Sequence, residues 1–261
     1  MGAATGTTGR AQTTGVYVYG IVPGDVEVDP EARGLGDEPA RVTAVRHGEI
    51  AALVSDIELD RPLGRPADLQ AHERLLDATA AEVPVLPARF GAVVTDRDAV
   101  TDELLAGHHD DFLAALNELD GKAEYVVRSR YVEDAVLTEV LSENREIARL
   151  REQVRDQPED AMRNERIKLG ELINQAIEAK RQADARKVVE VLDPYTVAVT
   201  VREPSHEYDA ANVVILAETA REPELAEACL ELAREWEGRV NLRLIGPVAP
   251  YDFVVSLQPG G

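Results

Sequence analysis

The sequence is poor in the residues that most often carry chemistry. One cysteine, Cys229, in 261 residues excludes an intrachain disulfide framework and a zinc site built on cysteines. Lysine is confined to Lys122, Lys168, Lys180 and Lys187, and 28 Lys+Arg stand against 49 Asp+Glu, a formal net charge of −21. Such a chain lacks the cations that displace counterions from phosphates, so neither nucleic acid nor an anionic membrane surface is an expected partner. No apolar run approaches the ~20 residues of a membrane-spanning helix. The opening "MGAATGTTGRAQTTG" has no apolar h-region, so no signal peptide is expected, and residues 1–14 read as a disordered tail. A cytoplasmic location is the default expectation. Catalytic signatures are missing as well: there is no GxGxxG after a strand, no GxxxxGK[ST], no GxSxG, no HExxH and no DxDxDG. No enzymatic activity, cofactor or metal is expected.

What is present is an ordinary globular balance, 44% hydrophobic and 30% charged, in a chain long enough for two domains. "GVYVYGIV" (15–22) reads as a strand, and "RVTAVRHGEIAALVSDI" as a hairpin about Gly48. Leu69, His72, Leu76, Ala80 and Val83 mark one helix face, and Leu104, Leu105, His108, Phe112, Leu116 and Leu119 another. Asp120-Gly121 is a stop signal, which places a domain boundary there: an α+β domain over 15–121 and a second over 122–257. The second half runs strand, two helices, two strands, helix, strand. That is the βαββαβ order of a ferredoxin-like fold, modified by a helical hairpin over 136–187. One of its helices is read through Leu137, Val140, Leu141, Ile147, Ala148 and Val154. The other carries the stripe Leu169, Leu172, Ile173, Ala176, Ile177 and Ala183.

"VLPARFGAVV" (85–94) interrupts an apolar segment with a proline, an arginine and a glycine. It reads as a bent strand. Pro87 lacks an N–H and suits a ladder edge, and Gly91 permits close backbone approach. Arg89, flanked by Leu86, Phe90, Val93 and Val94, is expected to be buried and to need acceptors. A bidentate carboxylate or carbonyl partner is one reading, and a partner-binding or anion-binding role is the other. His72 is expected to be structural and Cys229 a buried, inert thiol.

Four segments occur in order: "VYVYGIV", "VLPARFGAVV", "GKAEY" and "GPVAPYDFV". Together they resemble the gas vesicle protein family GvpL/GvpF, whose pattern runs Y-x-Y-G-I-V, L-P-[VA]-R-F-G-[TA], G-K-x-E-[WY] and G-P-[WV]-x-P-Y-[SD]-F. The motifs span Val16 to Val255. Val248 and Ala249 stand where Trp and Pro are usual, and Tyr125 where Trp is common. The resemblance implies a two-domain α+β protein with a modified ferredoxin-like C-terminal domain. It implies a non-enzymatic accessory or assembly role in gas vesicle formation, with location at the vesicle. The implied partners are the small hydrophobic shell protein GvpA and other Gvp accessory proteins. The motif residues Pro87, Arg89, Phe90, Gly91, Gly246, Pro247, Pro250, Tyr251 and Phe253 are the candidates for a partner-binding or structural role. A ferredoxin-like ligand-binding or sensory protein is the alternative.

Overall fold

A computed structural model describes residues 14–36, 38–60, 62–158 and 162–254. The expected tail over 1–14 falls outside them except for Thr14, as do residues 255–257 of the expected second domain. The chain divides into two units. One runs through Ala123 and resumes at Pro247; the other is Glu124–Gly246.

The first unit is built on β1 (Thr14–Pro23), β2 (Thr43–His47) and β3 (Ile50–Glu58), followed by α1 (Pro66–Ala80), β4 (Leu86–Pro87) and β5 (Val93–Val94). The sheet order is β2-β3-β1-β4, and β5 also pairs with β1. β1 is antiparallel to β3, β4 and β5. Eight consecutive residues of β1, Gly15–Val22, are buried, as expected of a central strand covered on both faces. "VPVLPARFGAVV" is broken as its prolines predict: two two-residue strands flank a loop.

Pro66 at N1 starts α1, where its missing N–H costs nothing. Its buried face is Asp68, His72, Leu76 and Ala80. Leu69, assigned to that face from the sequence, is 43% exposed, because the i, i+4 row that meets the sheet begins one residue earlier. The second helical region is irregular. A short α2 (Arg97–Ala99) passes into a π-helical turn (Val100–Leu105), a 3₁₀ turn (Ala106–His108) and α3 (His109–Leu119). Gly107 lies in the 3₁₀ turn, where glycine's weak helix propensity favours a break.

The second unit contains most of β6 (Lys122–Tyr131), then α4 (Glu133–Glu143), α5 (Arg145–Arg155), α6 (Arg163–Leu192), β7 (Thr196–Val201), β8 (Asp209–Glu218), α7 (Glu222–Glu235) and β9 (Val240–Val248) up to Gly246. Its sheet order is β7-β8-β6-β9. Both sheets are antiparallel, so the whole is a mixed α/β protein. The helix expected through Leu137 to Val154 is two helices. The Asn144 side chain accepts from the N–H groups of Glu146 and Ile147, an N-cap that begins α5 anew. α4 and α5 both pack on α6. On α6 the buried positions are Ile177, Asp184, Val188 and Leu192; Ala183 is exposed, and Asp184 takes the inward position.

The final segment differs from the sequence reading, which kept it in the second domain. From Pro247 it belongs to the first unit. Ala249 is fully buried in the core cluster with Tyr17, Tyr19 and Leu76, and Tyr251 packs against it. The Ala249 N–H donates to Asp77 Oδ1 at 3.0 Å.

Candidate functional site

Two tyrosines in β1 organise the first unit. Strand alternation puts Tyr17 and Tyr19 on one face, with ring centroids 4.8 Å apart. Each hydroxyl holds a loop. Tyr19 Oη accepts from the Leu35 N–H at 3.0 Å and lies 2.9 Å from Ser55 Oγ. Tyr17 Oη accepts from the Gly91 N–H at 3.0 Å and lies 3.0 Å from His72 Nδ1. With the amide donating to the phenol, the phenol proton is free to donate to Nδ1, so His72 is a neutral imidazole accepting at that nitrogen. Burial pushes the His72 pKa down to about 4, with the Ala88 carbonyl opposing. Burial also raises both phenols.

Aromatic rings close the cluster. Phe90 lies edge-on to Tyr17 at 6.2 Å and to His72 at 5.6 Å. Tyr251 is 6.5 Å from His72. Three of the four sequence motifs, "VYVYGIV", "LPARFG" and "APYDF", therefore converge on one imidazole. His72 itself lies in none of them and is a core residue, 1% exposed, rather than a domain-surface one. Asp77, one helical turn beyond His72 on α1, ties the returning segment at Ala249, and burial pushes its carboxyl up.

The remaining motif, "GKAEY", meets the start of the closing one in the second unit. A Cβ on Gly246 would lie 2.6 Å from Tyr125 Cδ1 and 3.0 Å from the Glu124 carbonyl, and Gly246 has φ +143°. Only glycine fits a backbone that is both left-handed and in contact with a ring. Tyr125, pushed up to about 12 by burial and by neighbouring Glu222, is the residue it abuts.

The candidate residues separate as follows. Pro87 is buried in β4, opposite Gly20. Phe90 is half-buried. Gly91 has φ +92° with open space around its Cβ position, so its role is the backbone turn and not the close approach expected. Pro247 is half-buried and Pro250 buried. Tyr251 and Phe253 are half-buried in a turn where the Phe253 N–H donates to the Pro250 carbonyl at 3.2 Å. Arg89 reverses expectation: it is exposed. Its carbonyl accepts from the Ala92 N–H, and the resulting turn throws the side chain outward, so its apolar sequence neighbours do not enclose it.

The sequence reading missed a charged network in the second unit. Arg239 donates twice to Asp184, at 3.0 and 2.7 Å, and through Nε to Glu139 at 2.8 Å. Tyr131 Oη donates to Asp184 at 2.6 Å, and burial with Asp184 raises that phenol. Lys180 bridges Glu139 and Glu143 at 3.1 and 2.7 Å. The signal available was Asp184 itself, an acid at a position where the α6 stripe calls for an apolar residue.

The first cluster is a set of neutral hydrogen bonds with the buried Asp68 carboxylate near both tyrosines, and the second is a set of ion pairs. A cleft of about 650 Å³ in the second unit is lined by Arg128, Arg130, Asp209, Glu237 and Arg243, among others. Arg130 is held by Asp209 at 3.4 Å. Among the described residues no group of three His, Cys, Asp or Glu could hold a metal, and no helix is long and apolar enough to cross a membrane. Cys229 is buried and its thiol is pushed up to about 11 by burial.

A family model described as gas vesicle synthesis protein GvpL/GvpF matches residues 15–255. Gas vesicle protein F of Streptomyces sp. (strain CB03234) is 36% identical over 242 residues, covering 91% of this chain and 98% of that protein. Gas vesicle protein F of Dolichospermum flosaquae is 26% identical over 240 residues, covering 91% and 96%. Gas vesicle protein L of the same Streptomyces is 28% identical over 260 residues, covering 91% of each. The crystal structure of GvpF from Anabaena sp. PCC7120 has the same fold, with a TM-score of 0.76 at 22% identity over 94% of this chain and 100% of that one. With the match running from the first motif to the last, this chain belongs to the gas vesicle GvpL/GvpF family.

Proposed function

We propose that the protein is a non-enzymatic accessory factor of gas vesicle formation, acting at the vesicle by binding the small hydrophobic shell protein GvpA, with other Gvp accessory proteins as further partners. Family membership supports the gas vesicle role. The observation that carries the binding surface is the exposed Arg89 guanidinium, which makes no ion pair or side-chain hydrogen bond among the described residues. It stands on a loop that Tyr17, through Gly91, and Phe90 hold in place. A guanidinium presented on a fixed loop beside a half-buried aromatic ring suits a binding hot spot, where arginine and aromatic residues are enriched. The residues from Pro250 to Phe253 flank the same aromatic cluster and extend the surface.

We read the second unit as a modified ferredoxin-like domain. Strand order β7-β8-β6-β9, with helices after β6 and after β8, supports that reading, and α4 to α6 are the elaboration of the first crossover. Its role is to support the assembly contacts.

Coexpression with GvpA tests the surface. Arg89→Glu is expected to leave stability within about 0.5 kcal/mol, as for exposed substitutions generally, and to abolish co-purification of the shell subunit. Shell subunit that stays insoluble beside the folded wild-type protein ends the GvpA reading. Undiminished capture by Arg89→Glu ends the assignment of this loop.

A further inference from the structure

We propose that β7 is a self-pairing edge through which two copies of this chain join their second-unit sheets across a two-fold axis centred on Val199. This goes beyond the accessory role proposed above and does not depend on it.

The strands on the outer edges of the two sheets are unequal, β4 and β5 both pairing with β1 as strands of two residues each. β2 carries Arg46 and His47, and Arg46 spans to the Gly24 and Val26 carbonyls. β4 is two residues long and contains Pro87. β9 carries Arg243 and Pro247. These are the charges, prolines and short lengths by which edges resist pairing. β7, "TVAVTV", has no charge and no proline, and among the described residues it ends the sheet. Val197, Val199 and Val201 are 54%, 44% and 53% exposed, three β-branched residues in a row on one face.

Backbone direction is also suitable. The Arg202 N–H donates to the Asn212 carbonyl, in register with Val201 opposite Val213. In an antiparallel ladder the hydrogen-bonded pairs alternate, so Thr200 and Arg202 bond to β8 while Val199 and Val201 turn their N–H and C=O outward.

The sequence around Val199 is partly symmetric: the valines and the flanking prolines match on reversal, while Thr196 would face Arg202 and Tyr195 would face Glu203. In "PYTVAVTVREP", two-fold pairing about Val199 sets Val197 against Val201, Ala198 against Thr200, and Pro194 against Pro204. Prolines close the paired window at both ends. Val199 and its mate would exchange both backbone bonds. A two-fold interface must be self-complementary in this way. Val201 also borders a cleft of about 440 Å³ lined by Ala185 and Val189 together with Gln182, Arg186 and Glu190 of α6, and Val197 of the second copy lands beside it. The bulge at Thr196/Ala198 leaves the regular ladder short. Pairing one short strand falls at the low end of the ~1,200–2,000 Å² of stable interfaces. The dimer is therefore concentration-dependent, and with −21 charges per chain it tightens as salt screens their repulsion.

Sedimentation velocity on the full chain over a range of concentrations and salt tests this, with a cysteine pair as a geometric check. Wild type is expected to dimerise. Val199→Lys sets like charges directly across the axis and is expected to weaken the dimer about tenfold or more. Val199→Cys should cross-link on mild oxidation, since facing residues of a hydrogen-bonded pair lie ~5.5 Å apart. Leu230→Cys on α7, more exposed at 52% than Val199 at 44%, should not, and buried Cys229 stays inert. A wild type that remains monomeric throughout, with no preferential cross-link at 199, overturns the proposal. So does a dimer that Val199→Lys leaves intact. A monomeric wild type whose Val199→Lys variant loses shell-subunit capture also overturns it and gives this edge to that partner.

Discussion

In the first unit the buried polar side chains around the motifs form neutral hydrogen bonds: Tyr17 with His72, Tyr19 with Ser55. In the second the network is charged: buried Asp184 with half-buried Arg239, Glu139 and Lys180. The neutral set holds loops, through the Gly91 and Leu35 amides. The charged set joins regular elements, since its members lie on α4, α6 and the turn just before β9, with Tyr131 on β6. A hydroxyl can position a loop amide while remaining in an apolar core. A carboxylate can remain only if guanidinium or ammonium groups surround it. The two units should therefore fail under different treatments.

The largest expected effect breaks the charged set. Arg239→Ala leaves Asp184, 8% exposed, with the Tyr131 hydroxyl but no cation. Removing one member of a buried pair costs about 3–5 kcal/mol. The single tryptophan, Trp236, has its ring 5.8 Å from the Arg239 guanidinium, so intrinsic fluorescence reports the second unit directly. Denaturant melts followed at Trp236 should shift by that amount. An unchanged midpoint would mean that the network contributes packing alone.

These differences bear on what could be read from the sequence. Strands announced themselves: "TVAVTV" is β7 to the residue, and the turn at Gly48 separates β2 from β3. Periodicity and turn residues are local properties, and they survive folding. Arg89 was misjudged because burial was inferred from chain neighbours, whereas a turn at Ala92 points the side chain outward. Asp184 and Arg239 lie 55 residues apart, and neither is unusual until α6 is laid beside β9. His72 was visible as a polar residue on an apolar face, but its partners come from β1 and the final segment, which only tertiary structure assembles. The family resemblance supplied motifs, and the structure supplies the reason three of them occur together.

A smaller effect separates the units by acid. His72 has a folded pKa of about 4 against an ordinary value near 6.5, so the folded state prefers the neutral ring. Its contribution is complete above pH ~6.5 and is lost as pH falls toward 4, where it reaches about 3 kcal/mol. Asp77, whose carboxyl is raised by burial, works in the opposite sense at the acid end of that window. Hydrogen exchange of β1 amides should show the first unit loosening between pH 6.5 and 4. His72→Gln, which cannot titrate, should flatten that slope. A slope that persists in the variant would assign the acid sensitivity to other groups.

The smallest effect tests whether the tyrosine hydroxyl, rather than the ring, fixes the Gly91 loop. Tyr17→Phe keeps the ring contacts with Tyr19 and Phe90 but removes the acceptor of the Gly91 amide and the donor to His72 Nδ1. The imidazole nitrogen is buried and left without its partner, while Gly91 is exposed and its amide can turn to water. The cost should thus be about 1–2 kcal/mol, near the lower end for an unsatisfied buried group. The local signature is sharper than the global one. Exchange at the Gly91 amide should accelerate far beyond what the change in global stability allows, while the Leu35 amide, held by Tyr19, keeps its protection. Tyr19→Phe should give the mirror result, releasing Leu35 and sparing Gly91. Equal acceleration at both amides in either variant would show that the two loops open together, and that the cluster acts as one cooperative body instead of two separate clasps.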